Sequence, residues 1–295
     1  MSTKATEENV DICDRLRAAG YEPRPAECLA LRAVEAAKDG VRALLLEGPP
    51  GCGKTSLAEA YASATGARYV YALLHSWSDD QELFRGVDVC AAVAGDAARV
   101  SQPGVLAVAA EASQKGPVVL CLDELDKGPE RVEALLLDVL QSGRVPVRPG
   151  EHLTMRLENV VVFLTTNAMR PLTDALLRRV RRVRMQPLPV ETIDRIVRER
   201  TGAPKGVVTL ASRLARETAR AEGNASLSLQ EIVAFTRDAF TIAESADDVR
   251  ILLAQWACRE SDAPARKADV APLWGEIVRA RRSSGASIAT IADMS

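Results

Sequence analysis

The chain has 295 residues, of which 47% are hydrophobic and 26% are charged. This composition is typical of a soluble globular protein, so it excludes a disordered chain, a collagen-like repeat and a bundle of membrane-spanning helices. The formal net charge of −2 argues against a nucleic-acid-binding protein that relies on bulk positive charge.

The N-terminal residues and the cysteines predict where the protein resides. Residues 1–11 are polar and acidic and contain no apolar core, which predicts that there is no signal peptide. The six cysteines, none of them in a C-x-x-C pair, are Cys13, Cys28, Cys52, Cys90, Cys121 and Cys258. A secreted chain stabilised by disulfides carries denser cysteines, so we expect reduced thiols in a cytoplasmic protein.

Short apolar runs alternate with helical patterns between residues 25 and 188. After an amphipathic helix over 27–38, the predicted strands are 41–47, 69–74, 118–122, 160–165 and 180–185. The predicted helices between them are 54–64, 105–112, 129–141 and 172–177. This alternation predicts an α/β fold in which helices cover both faces of a mostly parallel sheet.

The pattern changes after the sequence Pro187-Leu188-Pro189. Residues 190–259 contain no strand pattern and are typical of successive amphipathic helices, and residues 261–270 resemble a linker. We therefore expect four parts. They are a lead-in over 1–24, an α/β domain over 25–188, a small all-helical domain over 189–260, and a linker, short helix and tail over 261–295.

A glycine-rich loop joins the first predicted strand to the helix over 54–64. Residues 48–55 fit the pattern G-x-x-x-x-G-K-[ST], in which backbone N–H groups and the helix N-terminus bind phosphate oxygens. In this pattern Lys54 reaches the β- and γ-phosphates, and the hydroxyl of Thr55 binds Mg²⁺. The residues predicted to bind the nucleotide are Gly48, Pro49, Pro50, Gly51, Cys52, Gly53, Lys54, Thr55 and Ser56. We expect ATP with Mg²⁺, but no residue identifies the base, so GTP stays an alternative.

The strand predicted over 118–122 ends in two carboxylates, Asp123 and Glu124. Ligands bind at the carboxyl ends of parallel strands. We therefore expect Asp123 to hold Mg²⁺ and Glu124 to act as the general base on the attacking water. The next charged residues, Asp126 and Lys127, fit surface roles as well as catalytic ones.

The strand predicted over 160–165 ends in uncharged polar residues. An amide at this position can hydrogen-bond both the γ-phosphate and the attacking water without competing for Mg²⁺. Asn167 is the first candidate for this role, and Thr166 is the alternative.

Five arginines lie within seven positions shortly after this strand. They are Arg178, Arg179, Arg181, Arg182 and Arg184. One interpretation is a basic surface or a nucleic-acid-binding patch. The other is an arginine finger, a guanidinium that stabilises charge on the γ-phosphate held by a neighbouring subunit. The cluster begins 11 residues after Asn167, at the end of a predicted helix, which favours a finger formed by Arg179 or, second, by Arg178.

The order of these motifs resembles that of the AAA+ ATPases over residues 25–260. Three segments are similar to the MoxR-type group, which is related to the dynein-like AAA domains: 78–86, 103–111 and 173–179. Residues 144–156 look like a β-hairpin that turns at Pro149-Gly150, where this group carries an inserted hairpin.

This resemblance implies a P-loop NTPase fold followed by a small all-α lid domain, with the chains assembled as a hexameric ring. It also implies a chaperone function, the ATP-driven remodelling of a protein partner, often one with a von Willebrand A-type domain. Many AAA+ proteins carry an arginine at the start of a lid helix that contacts the γ-phosphate, whereas this chain has Gln230 there. Arg220 and Arg237 stay alternatives for that role.

Two other functions stay open. A nucleic-acid motor or loader of the same fold would use the hairpin arginines Arg144, Arg148 and Arg156, but the charge balance argues against it. A nucleotide-gated scaffold would bind the nucleotide and hydrolyse it slowly.

Overall fold

The structure is a computed structural model. It describes residues 10–37, 42–78, 83–87, 93, 95, 101–148, 150–223 and 227–283. The predictions that fall on residues 1–9, 79–82, Cys90, Pro149, Ala225 and 284–295 lie outside the described residues. The chain forms two compact units, one of residues 1–49 with 53–186 and the other of residues 50–52 with 187–295.

The strands of the first unit form one five-stranded sheet and two antiparallel pairs. In chain order they are β1 (Ala43–Glu47), β2 (Arg68–Leu73), β3 (Arg85–Val87), β4 (Ser101–Pro103), β5 (Val118–Asp123), β6 (Arg144–Arg148), β7 (Glu151–Thr154), β8 (Val160–Thr166) and β9 (Arg181–Arg184). The sheet has the order β2-β5-β8-β1-β9, and its neighbouring strands are parallel. The antiparallel pairs are β3 with β4 and β6 with β7.

Helices flank this sheet. They are α1 (Ile12–Ala18), α2 (Pro25–Ala36), α3 (Lys54–Thr65), α4 (Val105–Ser113), α5 (Glu130–Ser142) and α6 (Asp174–Leu177), with 3₁₀ turns at Leu125–Lys127 and Leu157–Asn159. All seven residues of β8 and the first five of β5 are buried. Parallel strands read as continuous apolar runs because helices cover both of their faces. The predicted α/β fold class is confirmed.

The second unit is all-helical in the residues that the structure describes. Its helices are α7 (Val190–Thr201), α8 (Lys205–Ala221), α9 (Leu229–Thr241), α10 (Ala246–Ala257), α11 (Ala263–Lys267) and α12 (Ala271–Ser283). Phe235 and Leu253 are fully buried in its core. Capping boxes set the start of α9 and α10, because the hydroxyls of Ser228 and Ser245 accept hydrogen bonds from the backbone three residues later.

Residues 261–270 differ from the expected linker. They contain α11, and both Ala265 and Val270 are buried in the core of the second unit. Leu273 and Ile277 of α12 are buried in the same core. The few apolar residues of this polar segment do not recur with a helical or strand period. Only the packing of Ala265 and Val270 shows that the segment is part of the unit.

The hairpin expected over 144–156 is present as β6 and β7, with Arg144 opposite Thr154 and Val145 opposite Leu153. The register shifts between Pro146 and Arg148. A proline cannot donate a ladder hydrogen bond, which explains an irregularity at this point.

The prediction that the cysteines are reduced thiols is wrong for one pair. Cys13 in α1 and Cys28 in α2 form a disulfide, with their Cα atoms 5.6 Å apart. The pairing depends on the packing of α1 against α2, which cysteine spacing in the sequence does not show. The thiols of Cys121 and Cys258 are free.

We predict that Cys121 of the folded protein resists alkylation. Burial raises the pKa of this thiol from 9.0 to about 12, so at pH 8 the reactive thiolate is about 10³-fold rarer than in the unfolded chain. Iodoacetamide labelling read by peptide mass spectrometry should leave Cys121 unmodified until urea unfolds the protein. Equal labelling rates with and without urea would contradict the burial of this strand.

Candidate nucleotide-binding and catalytic site

The loop between β1 and α3 has the backbone geometry that its glycines allow. Gly51 has φ +75° and Gly53 has φ +95°, conformations that glycine adopts without the steric cost other residues have. The free N–H groups at the start of α3 follow directly, and a helix N-terminus favours anions.

Lys54, the first residue of α3, is 7% exposed. Its ammonium donates hydrogen bonds to the carbonyl oxygens of Gly48 at 2.8 Å and Pro49 at 3.0 Å. It also donates to Oδ1 of Asn167 at 2.7 Å. The structure therefore places this positive charge between the end of β1 and the end of β8.

Thr55 and Asp123 lie side by side at the end of β5. The Thr55 hydroxyl donates to the Asp123 carboxylate at 3.0 and 3.1 Å, and the Thr165 hydroxyl donates to the same carboxylate. One carboxylate and one hydroxyl fit Mg²⁺, which takes few protein ligands and completes its shell with water and phosphate oxygens. Within the described residues no group of three or more His, Cys, Asp and Glu forms a metal site of another kind.

Tyr71 adds a contact to Asp123 that the sequence reasoning missed. Its phenol donates to Oδ2 of Asp123 at 3.1 Å. Burial, together with the nearby carboxylate, raises the pKa of Tyr71 to about 12, so the phenol keeps its proton at neutral pH.

Glu124 contacts Asn167, Lys127 and Thr165. Its Oε1 accepts a hydrogen bond from Nδ2 of Asn167 at 3.2 Å, and its Oε2 pairs with the ammonium of Lys127 at 2.7 Å. Its backbone N–H donates to the Thr165 hydroxyl at 2.9 Å. Lys54, Asn167 and Glu124 thus form one continuous chain of polar contacts.

Thr166, the alternative to Asn167, makes a local contact instead. It is buried, and its hydroxyl accepts a hydrogen bond from the backbone of Ala168 at 2.9 Å. Of the two candidates, Asn167 is the one that contacts both Lys54 and Glu124.

Asp126, left undecided by the sequence, is buried beneath this site. Its carboxylate accepts hydrogen bonds from the backbone of Asn167 at 3.2 Å and of Met169 at 2.9 Å. Lys127 is exposed, and its ammonium forms the ion pair with Glu124.

Arg178 and Arg179 lie near the amino ends of the parallel strands, whereas Lys54 lies at their carboxyl ends. They precede β9, whose first residue pairs with Leu44 near the start of β1, whereas Lys54 binds the loop after β1 ends. At 3.3 Å per residue, the two ends are roughly 13 Å apart along β1. Both arginines are exposed and line an open cavity of about 350 Å³, together with Arg42 and Arg181.

The other arginines of the cluster have a different partner. Arg182 forms a two-pronged ion pair with Glu47, with its closest contact at 2.9 Å, and Arg184 lies 3.6 Å from the same carboxylate. The structure therefore separates the five arginines into a cavity-lining group and a Glu47-bound group.

The residues considered for the lid role lie in the second unit. Gln230 is the second residue of α9, Arg237 is exposed on the same helix, and Arg220 is in the last turn of α8. Their roles stay predictions.

Comparison with known proteins identifies the nucleotide-binding segment. Residues 43–180 match the family model described as AAA domain (dynein-related subfamily). This segment is similar to the AAA domains of that family. It contains the loop of Lys54, the Asp123–Glu124 strand end, Asn167 and both finger candidates.

The curated relatives are longer proteins. The Lon protease of Nitratidesulfovibrio vulgaris is 31% identical over 204 residues, which cover 66% of this chain and 23% of that protease. The Lon protease of Mycolicibacterium smegmatis is 33% identical over 146 residues, which cover 46% of this chain and 17% of the protease. The chain therefore spans less than a quarter of these relatives.

A crystal structure of NtrX from Brucella abortus is similar to this chain, with a TM-score of 0.46 and 16% sequence identity. The match covers 77% of this chain and 52% of the NtrX chain.

In the described part of the chain, no helix is both long and apolar enough to span a membrane.

Proposed function

We propose that this AAA+ domain binds ATP with Mg²⁺ and hydrolyses it. The observation that supports this most directly is the chain of contacts from Lys54 through Asn167 to Glu124, beside the Thr55–Asp123 pair. It combines a cation for phosphate, oxygen ligands for a metal and a carboxylate base at one sheet edge.

Each residue has a distinct role in this reaction. Lys54 neutralises charge on the β- and γ-phosphates, and Thr55 and Asp123 hold the metal. When bound, Mg²⁺ would stabilise the charge that develops on the phosphate oxygens. Glu124 accepts a proton from the attacking water, and Asn167, which already contacts this carboxylate, orients the water and the γ-phosphate.

We also propose that the active unit is a homo-oligomeric ring in which each chain completes its neighbour's site. Arg178 and Arg179 are separated from Lys54 of their own chain by the length of β1, so they are available to a second chain. The hexamer follows from the resemblance to MoxR-type proteins. Head-to-tail contact would bring the cavity arginines to the neighbour's γ-phosphate.

Mixing two inactive variants tests this arrangement. Glu124→Gln lacks the base and Arg179→Ala lacks the finger, so neither alone should hydrolyse ATP. Mixed rings contain interfaces with an intact base and an intact finger, and they should recover about a quarter of the wild-type rate if subunits mix randomly at equal concentration. Phosphate release is the measurement.

Arg182→Ala is the matched control, because Arg182 pairs with Glu47 rather than lining the cavity. Its mixture with Glu124→Gln should show only the activity that Arg182→Ala subunits have by themselves, diluted. Rings that form normally but show no recovery with Arg179→Ala would contradict catalysis between subunits.

For the cellular role we propose a MoxR-type chaperone that remodels a protein partner, including partners with a von Willebrand A-type domain. The dynein-related family match and the hairpin formed by β6 and β7 support this choice. A Glu124→Gln pull-down should trap such a partner with ATP. DNA- or RNA-stimulated hydrolysis that falls steeply with salt would instead favour a nucleic-acid motor.

Two narrower predictions remain part of this proposal. ATP should outcompete GTP in binding, and a strong GTP preference would contradict the choice of nucleotide.

The cytoplasmic location stays a prediction. Because Cys13 and Cys28 form a disulfide, the cysteines no longer support it.

A further inference from the structure

The loop between β8 and α6 is tied to the turn that follows β5. This turn, residues 124–128, begins at the proposed base, and the loop, residues 167–173, begins at Asn167. Two carboxylates make the ties, since Asp126 accepts from the loop backbone and Glu133 of α5 binds the loop's side chain and backbone.

Arg170 is the centre of the second tie. Its guanidinium pairs with Oε1 of Glu133 at 2.5 Å and donates to the carbonyl oxygens of Gly128 at 2.7 Å and Leu125 at 3.3 Å. Glu133 is fully buried, and its Oε2 accepts from the backbone of Thr173 at 2.8 Å. A planar guanidinium can hold a carboxylate and two carbonyls at once, which an ammonium does less well.

Both tied segments contain strained backbone. Glu124 has φ +57° and Ala168 has φ +58°, and they are the non-glycine residues with positive φ in the described part of the chain. Non-glycine residues rarely adopt such conformations, which persist only where the surroundings hold them. Glu124 immediately precedes Leu125, and Ala168 lies two residues before Arg170, so the ties act directly beside both strained positions.

We propose that the Arg170–Glu133 pair is a positioning clamp that holds Glu124 and Asn167 in the geometry needed for hydrolysis. This inference rests on the proposed ATPase function. Arg170 and Glu133 are positioning residues, because they act through the two segments they join. We expect the clamp to affect hydrolysis rather than nucleotide binding, because the binding residues Lys54 and Asp123 are held by other contacts. Lys54 contacts the carbonyl oxygen of Gly48, and Asp123 contacts the Thr165 hydroxyl.

The clamp therefore predicts a split between turnover and binding. In Arg170→Met, kcat should fall about 10²-fold, because displacement of catalytic groups by about 1 Å has effects of this size. The Kd for a non-hydrolysable ATP analogue with Mg²⁺ should stay within about threefold of wild type. Arg170→Lys should recover part of kcat, since it restores the charge opposite Glu133 but not the guanidinium's three-way contact.

A double variant separates positioning from stability. Arg170→Met alone leaves the Glu133 charge buried without its partner, which destabilises a fold. Glu133→Leu combined with Arg170→Met replaces the pair by apolar groups, an exchange that is often neutral for stability. This double variant should unfold near the wild-type temperature and still show the reduced kcat.

Arg15→Met is the matched control. Arg15 forms an ion pair with Glu35, with 2.8 Å between the charged atoms, and neither residue belongs to the clamp. It should keep the wild-type kcat. Wild-type kcat in the folded double variant, or equal losses in kcat and nucleotide binding, would overturn the clamp while leaving the ATPase proposal intact. Absence of hydrolysis by the wild-type oligomer, tested with ATP and Mg²⁺, would overturn both.

Discussion

Replacing Glu124 by glutamine should lower the rate of ATP hydrolysis by about 10³-fold while the protein still binds the nucleotide. The amide preserves the side chain's size and can keep the contact with Asn167, which lies 3.2 Å from Oε1. It cannot accept the proton that the attacking water must lose. Single-turnover phosphate release, together with titration of a fluorescent ATP analogue, measures the two effects separately.

Glu130→Gln is the control for this substitution, because Glu130 is exposed at the start of α5. It should hydrolyse ATP at the wild-type rate. If Glu124→Gln retains more than about a tenth of wild-type turnover, general-base catalysis by this residue is wrong.

Replacing Lys54 by methionine should weaken ATP binding by about 10²-fold and remove measurable hydrolysis. Methionine keeps most of the apolar stem of the side chain but removes the charge. Hydrogen bonds to a charged group are worth about 1.5–3 kcal/mol each, and about 1.4 kcal/mol corresponds to a tenfold change in Kd. It also removes the donor to Oδ1 of Asn167, which lies 2.7 Å away. Calorimetric titration with the non-hydrolysable analogue gives the Kd.

Lys115→Met provides the comparison, since Lys115 is exposed after α4. Its Kd should equal that of wild type. Thermal unfolding without nucleotide shows whether the Lys54 variant folds. A folded Lys54→Met protein with unchanged affinity would show that the loop between β1 and α3 is not the phosphate site.

The sequence predicted the central strands well because their signal is local. β5 and β8 are continuous apolar runs, and such runs are typical of parallel strands buried on both faces. The ends of these runs also placed Asp123 and Asn167 at the same edge, since parallel strands end together. The segment over 261–270 was harder, because its helix α11 is short and only Ala265 and Val270 reveal its packing.

Glu133 shows a signal that was present in the sequence but not used. It lies three and seven residues before Leu136 and Leu140 on the buried side of α5. A carboxylate within an apolar helix face indicates a buried partner. The identity of that partner, Arg170, could not follow from this pattern, because the two residues belong to elements separated by the hairpin and β8.

The sequence by itself determined the strand-helix alternation and the residues at the strand ends, because apolar periodicity and loop patterns depend on neighbours along the chain. Only the tertiary structure decided which side chains meet. It joined Lys54 to Asn167, paired Arg170 with Glu133, formed the Cys13–Cys28 disulfide and placed Arg179 near the amino ends of the strands. These contacts join residues far apart in the chain, so they depend on the packing of whole elements.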